Sequence, residues 1–183
     1  MIPFILVLIA SWICLFLFEE IKVRAKKNGQ SGKNPFFIIG TLLLIINWAW
    51  VLIQSFNKNE IFGMSVKART IFFGILTVLY IGLYFYTSFL SLPKGSLDSN
   101  ENGAVVSSGI YAYCRHPGLY AFWLVAISAS FLASSREALI IGIANAVINT
   151  IYIIIQDIYF FPHYIEGYEE YKKQVPFLGF SVR

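Results

Sequence analysis

Five stretches of the chain stay apolar for about the ~20 residues that an α-helix needs to cross ~30 Å of hydrocarbon. They run Ile2–Phe18, Pro35–Phe56, Thr70–Leu90, Gly118–Ser134 and Ala138–Phe161. In a bilayer core every backbone N–H and C=O must find its partner within the protein, so segments of this kind form helices. Composition agrees: 57% of the 183 residues are hydrophobic and 13% charged, with a mean hydropathy of +0.67. A soluble domain of this size needs far more polar residues to cover its surface. The 17 Phe and 11 Tyr suit a lipid-facing surface with aromatic belts at its two boundaries. The expected fold is an all-α integral membrane helical bundle of about five transmembrane helices, forming a single membrane domain over residues 1–183.

The connections carry the orientation signal. The first, Glu19–Asn34, holds Lys22, Arg24, Lys26, Lys27 and Lys33, and the second, around Asn57–Arg69, holds Lys58, Lys67 and Arg69. The third, Ser91–Pro117, is the longest; it contains the polar turn sequence SLDSNENG together with Lys94 and Arg115. With five crossings, the first loop, third loop and C-terminal tail share one side and hold ten Lys/Arg, against four on the other. The positive-inside rule places the ten in the cytoplasm, with the N-terminus outside. The apolar N-terminus lacks both a preceding positive charge and a small-residue cleavage site, and reads as a retained helix. The net charge of +4 is not gathered into a dense basic cluster, which argues against nucleic-acid binding. Two cysteines are too few for a disulfide framework or a metal site.

Chemistry-bearing residues concentrate in SSGIYAYCRHPGLYAFW, Ser107–Trp123. Arg115 and His116 directly precede Pro117, a favourable first residue for the fourth helix. Exposed amides beside an arginine at a membrane boundary can hold a carboxylate or phosphate, and His116 can donate or accept near neutral pH. The plainer alternative is an interfacial anchor, with Arg115 snorkelling among belt tyrosines. The fifth span carries a second signal. At ~100° per residue, Asn145, Asn149, Tyr152 and Gln156 fall within about 40° of one another. A polar stripe in hydrocarbon faces the bundle interior, either as the wall of a cavity or as interhelical hydrogen-bond glue. The stripe leads to Asp157, the one carboxylate inside an expected span, which suits a cationic ligand. Beyond it Pro162 should break or kink the helix. Tyr164, Tyr168 and Tyr171 then recur at helical spacing among charged residues, as in an amphipathic interfacial helix ended by Pro176. Such a helix suits a lid over a site or a membrane anchor.

The pattern G-x-Y-x-x-x-R-H-P (Gly109, Tyr111, Arg115, His116, Pro117), followed by a helical hairpin and Y-x-x-Y-x-x-x-V-P (Tyr168, Tyr171, Val175, Pro176), resembles the isoprenylcysteine carboxyl methyltransferase and phospholipid N-methyltransferase superfamily. The likeness covers Gly109–Pro176, whereas the spans of residues 1–108 match only in being hydrophobic. The resemblance implies S-adenosylmethionine as cofactor, bound by the Arg-His-Pro block and by a Glu-Glu pair at the end of the last span. That pair falls on Gln156 and Asp157 here, so one carboxylate is replaced by an amide. After the proline the family reads x-Tyr-x-Gly, where this chain has Leu119 and Ala121 with Tyr120 one place later.

The resemblance thus implies a cofactor site of Tyr111, Arg115, His116, Pro117, Tyr120, Gln156 and Asp157. Arg115, His116 and Asp157 carry the catalytic roles, and Asn145, Asn149 and Tyr152 line the substrate path. No metal is implied. A membrane lipid or lipidated small molecule would present an amine, thiol or carboxylate to the methyl group, on the cytoplasmic face of a bacterial or archaeal plasma membrane or of the endoplasmic reticulum. Two rival classes stand beside it: a membrane reductase using a nicotinamide cofactor, and a non-catalytic lipid-binding protein of the same fold. Five spans without an internal repeat make a transporter a poor fit.

Overall fold

The computed structural model describes residues 2–30, 34–53, 64–90, 105 and 107–179. Lys33, Lys58, Lys94, Arg183 and the SLDSNENG turn lie outside the described residues. Over their described residues the five apolar runs fall on helices: α1 (Ile2–Lys27), α2 (Phe36–Ile53), α3 (Val66–Phe85), α4 (Pro117–Ala133) and α5 (Arg136–Ile155). Four helical stretches, Ile2–Lys27, Phe36–Ile53, Val66–Ser88 and Arg136–Tyr164, are long and apolar enough to cross a membrane, and Pro117–Ala133 is a shorter apolar helix. Their outer faces carry large exposed apolar side chains, among them Ile38, Ile45, Phe72 and Val78, the last 70% exposed. Such a surface is stable against acyl chains and not against water. The chain is therefore an integral membrane helical bundle.

Three boundaries differ from the sequence expectation. α1 does not stop at Phe18 but runs on through Lys27. The residues beyond Phe18 are good helix formers, Glu20 pairs with Arg24 one turn away at 2.9 Å, and Val23 and Ala25 are buried. Nor does Pro162 end the last span. α5 passes into a π turn, Gln156–Phe160, and then into α6 (Phe161–Tyr164), with Pro162 in its first turn. A helix interior cannot take proline without losing an i→i−4 hydrogen bond. The wider π turn comes directly before it and lets the helix resume with proline at a tolerated starting position. α3 likewise begins before Thr70, because Ser65 caps it by accepting from the Ala68 amide.

Helices α1 and α2 run antiparallel: Phe18 meets Phe37 at one end, while Phe4 stacks on Trp50 near the other. The α4–α5 hairpin turns at Ser134, whose φ is +54°, and Ser135, whose hydroxyl accepts from the Ala138 amide. Small residues let these two helices approach closely, the usual device where lipid offers no hydrophobic driving force. A Cβ on Gly142 would collide with the Ser130 hydroxyl. A common aromatic core joins the bundle, with Trp12 against Tyr152, and Trp48 and Tyr84 both edge-on to Phe122.

The C-terminal helix α7 (Tyr168–Gln174) follows Gly167, whose φ of +77° starts the turn back towards the bundle. Tyr168 and Tyr171 point inward, forming a small core with Val175, Val105, Phe161 and Ile165. Of the two uses read from the sequence, the inward tyrosines match a cover over the helix ends.

Candidate functional site

The end of α1, the start of α4, the α5 π turn and α7 converge at one end of the bundle. Four local features build the position of Arg115. Gly109, with φ +61°, opens a 3₁₀ turn over Gly109–Ala112. Tyr111 on that turn donates its hydroxyl to the carbonyl of Thr87, in the π turn (Tyr86–Leu90) that follows α3, 2.6 Å away. The Tyr111 carbonyl in turn accepts from the Tyr171 hydroxyl at 2.7 Å, and the Arg115 amide donates to the Pro176 carbonyl at 3.1 Å. Pro117, buried, then starts α4.

Arg115 does not snorkel. Its side chain is 9% exposed and turns inward to Asp157. Nη2 donates to Asp157 Oδ2 at 3.1 Å, and Nε lies 2.9 Å from Oδ1 as a charge contact without hydrogen-bond alignment. Nη1 donates to the Lys172 and Val175 carbonyls at 2.9 and 3.0 Å. The guanidinium thereby satisfies orphan carbonyls at the C-terminal end of α7, where a cation is favoured by the helix dipole. Asp157 Oδ1 also lies 2.9 Å from His116 Nε2 and accepts from the Tyr168 hydroxyl at 2.7 Å. The two sequence blocks and the tail thus meet on one carboxylate.

His116 is buried between rings, with Phe177 and Phe161 at centroid distances of 4.9 and 6.1 Å. Burial lowers its pKa from the usual imidazole value, and the neighbouring Asp157 only partly opposes this. Burial first, and then the Asp157 charge, raises the Tyr168 phenol, so its proton stays in place as a donor. The Cys114 thiol is pushed up by burial and donates to the Phe177 carbonyl at 3.6 Å, which gives it no nucleophilic character.

The remaining expected residues are distributed less evenly. Tyr120 is 43% exposed, and its hydroxyl accepts from the Gly179 amide at 2.9 Å. Asn145 is fully buried between helices: its amide donates to Asn47 Oδ1 and the Ile141 carbonyl, and its oxygen accepts from Trp12. That geometry ties α1, α2 and α5 together in the manner of interhelical glue. Asn149 is buried one turn on, and its Nδ2 has no hydrogen-bond partner. A buried donor left open in this way is costly unless a ligand or water meets it. Gln156 and Tyr152 point to α1, where a residue that sequence reasoning left in a loop proves central.

That residue is Glu19, 3% exposed. Its Oε1 accepts from Gln156 Nε2 at 2.6 Å and from the Tyr152 hydroxyl at 3.1 Å. Its Oε2 accepts from the Tyr164 hydroxyl at 2.8 Å. The amide at Gln156 is therefore matched by a carboxylate from another helix. The signal available in the sequence was the continuity of helix-forming residues past Phe18, which keeps Glu19 on the α1 face of Trp12 and Leu15. Among the described residues no group of three or more His, Cys, Asp or Glu is placed to hold a metal ion.

Residues 73–158 match the family model described as "Isoprenylcysteine carboxyl methyltransferase (ICMT) family". The match contains Arg115, His116, Pro117 and Asp157, begins in α3 and ends before the tail; it starts further towards the N-terminus than the motif resemblance. No curated protein and no solved structure matches the chain. The family match supports the isoprenylcysteine carboxyl methyltransferase superfamily, a family of membrane methyltransferases.

Proposed function

We propose, with that superfamily as the premise, that the protein transfers a methyl group from S-adenosylmethionine to a membrane-borne acceptor at the Arg115–His116–Asp157 cluster. The observation that carries the reading is the meeting of Arg115, His116 and Tyr168 on Asp157, under the tail. These residues fit the donor chemically. A guanidinium and a carboxylate side by side complement the two charges of an amino-acid moiety, and the rings of Phe161 and Phe177 flank His116. When bound, S-adenosylmethionine supplies a methyl group made electrophilic by its sulfonium.

The chain's own residues do the rest. Arg115 and Asp157 bind and orient, exchanging part of their mutual contact for the ligand's charges. Tyr168 and Tyr171 hold α7 over the helix ends and keep water out, so positioning and desolvation supply most of the acceleration. His116, held neutral by burial, can accept a proton from an acceptor that must lose one. The acceptor reaches the site from the bilayer, along a bundle whose outer faces are apolar. The positive-inside bias puts this end in the cytoplasm.

The test is S-adenosylmethionine binding to purified full-length protein in detergent, with Arg115→Ala and Asp157→Ala beside it. Micromolar binding lost in both variants is the expected outcome. A folded wild-type protein that binds no S-adenosylmethionine would overturn the proposal. Asp157 and Arg115 would then be a structural latch for the tail in a non-catalytic lipid-binding protein, a role that their contacts to the Lys172 and Val175 carbonyls also suit.

A further inference from the structure

Glu19 is a buried carboxylate that makes no ion pair among the described residues; the nearby Lys22 feels its charge without contacting it. Its three hydrogen-bond donors, Tyr152, Gln156 and Tyr164, are all neutral. Among the described residues no Lys, Arg or His nitrogen comes within 4.0 Å of it, whereas the neighbouring Asp157 holds both Arg115 and His116 at 2.9 Å. A buried charge of this kind is costly unless a positive group completes it. Oε2 accepts one hydrogen bond and keeps room for another.

The wall beside it is aromatic. Tyr152 lies against Trp12 and Phe16, at centroid distances of 5.4 and 5.1 Å. Tyr164 already carries an ammonium on its face: Lys22 Nζ stands 4.1 Å from its ring centroid and 5.3 Å from that of Phe18. Lys22 lies one turn beyond Glu19 on α1, yet it takes the ring faces and not the carboxylate. An ammonium is thus accommodated on these ring faces, beside a carboxylate that it does not contact directly.

We propose that Glu19, with the ring of Tyr164, is a seat for the ammonium group of a ligand, and that Lys22 is its resident competitor. The proposal rests on the methyl-transfer reading only for which ligand enters. The ammonium belongs either to the amino-acid part of the methyl donor or to the amine head of a membrane-borne acceptor.

The test uses full-length protein in nanodiscs and four probes: S-adenosylmethionine; 5′-methylthioadenosine, which lacks the ammonium together with the carboxylate and the sulfonium charge; dodecylamine; and dodecanol, its uncharged counterpart. S-adenosylhomocysteine, which keeps the ammonium without the sulfonium, must follow S-adenosylmethionine in every variant. Glu19→Gln should weaken one of the two amines at least tenfold while its uncharged counterpart stays within twofold. Loss of S-adenosylmethionine assigns the seat to the donor, and loss of dodecylamine assigns it to a membrane amine. Lys22→Met should act in the opposite direction, tightening the same amine severalfold, a gain that a purely structural role for Glu19 would not produce. If Glu19→Gln fails to fold, the Lys22→Met result decides alone. Both amines within twofold of wild type in the folded variants would overturn the proposal. A wild-type protein that binds neither adenosine probe would sink the methyl-transfer reading, while the dodecylamine pair would still decide the seat.

Discussion

Asp157 and Glu19 are both buried carboxylates at the same end of the bundle, and the chain reaches them from adjacent residues of one π turn, yet they are satisfied in different ways. Asp157 is closed by the Arg115 charge, with the guanidinium and a neutral imidazole at 2.9 Å and a phenol at 2.7 Å. Glu19 is closed by neutral donors alone. The first arrangement joins three separate segments and resists opening, because removing one member of a buried pair strands the other. The second leaves the carboxylate in neutral hydrogen bonds, with no ion pair within 4.0 Å among the described residues. One residue of the π turn thus fastens the tail while its neighbour frames the Glu19 carboxylate.

The sharpest way to break this contrast is Asp157→Asn. It leaves the Arg115 guanidinium buried against an amide and should lower unfolding stability by about 3–5 kcal/mol, read as a fall in melting temperature in detergent. Tyr168→Phe should come next, at roughly 1.5–3 kcal/mol for a lost hydrogen bond to a charged group. Limited proteolysis should then cut faster after Lys172 or Lys173, because α7 loses its hold on the π turn. Glu19→Gln should cost only about 1 kcal/mol, since an amide can still accept from Tyr152 or Tyr164. A loss as large as that of Asp157→Asn would show that Glu19 is as tightly paired as its neighbour.

The last effect is one of pH. The folded pKa of His116 lies below the usual value of 6.5 because burial outweighs the pull of Asp157, with Arg115 adding to the lowering and Tyr168 also against the ring. The unfolded chain therefore binds the His116 proton first as pH falls. Stability attributable to this group is full above about 6.5 and is lost as pH drops towards the folded value, by at most about 1.4 kcal/mol per pH unit. Melting curves between pH 7.5 and 5 should show this slope, and His116→Gln should remove its share.

The five helices were legible in the sequence because span length and hydropathy are set by the bilayer, not by contacts among helices. Arg115, His116 and Asp157 were legible too, because charged and titratable residues stand out in an apolar chain. What the sequence did not separate was cavity wall from glue along the α5 stripe. Asn145 and Asn149 share a helix face and differ in what the neighbouring helices offer them: Asn145 meets Asn47 and Trp12, and the Asn149 Nδ2 meets no acceptor. Pro162 was legible as a disturbance of the last helix but not in its form, since local propensity forbids proline in a regular helix and says nothing of a π turn that absorbs it.

By itself, then, the chain's pattern of apolar runs determined that it is a membrane bundle, because the solvent imposes it, and its few titratable residues marked where a site was to be sought. Only the tertiary structure decided that Glu19 stands beside Gln156, 137 positions away in the chain, and that Arg115 faces inward. Those outcomes depend on which helix faces meet, and no local propensity encodes that.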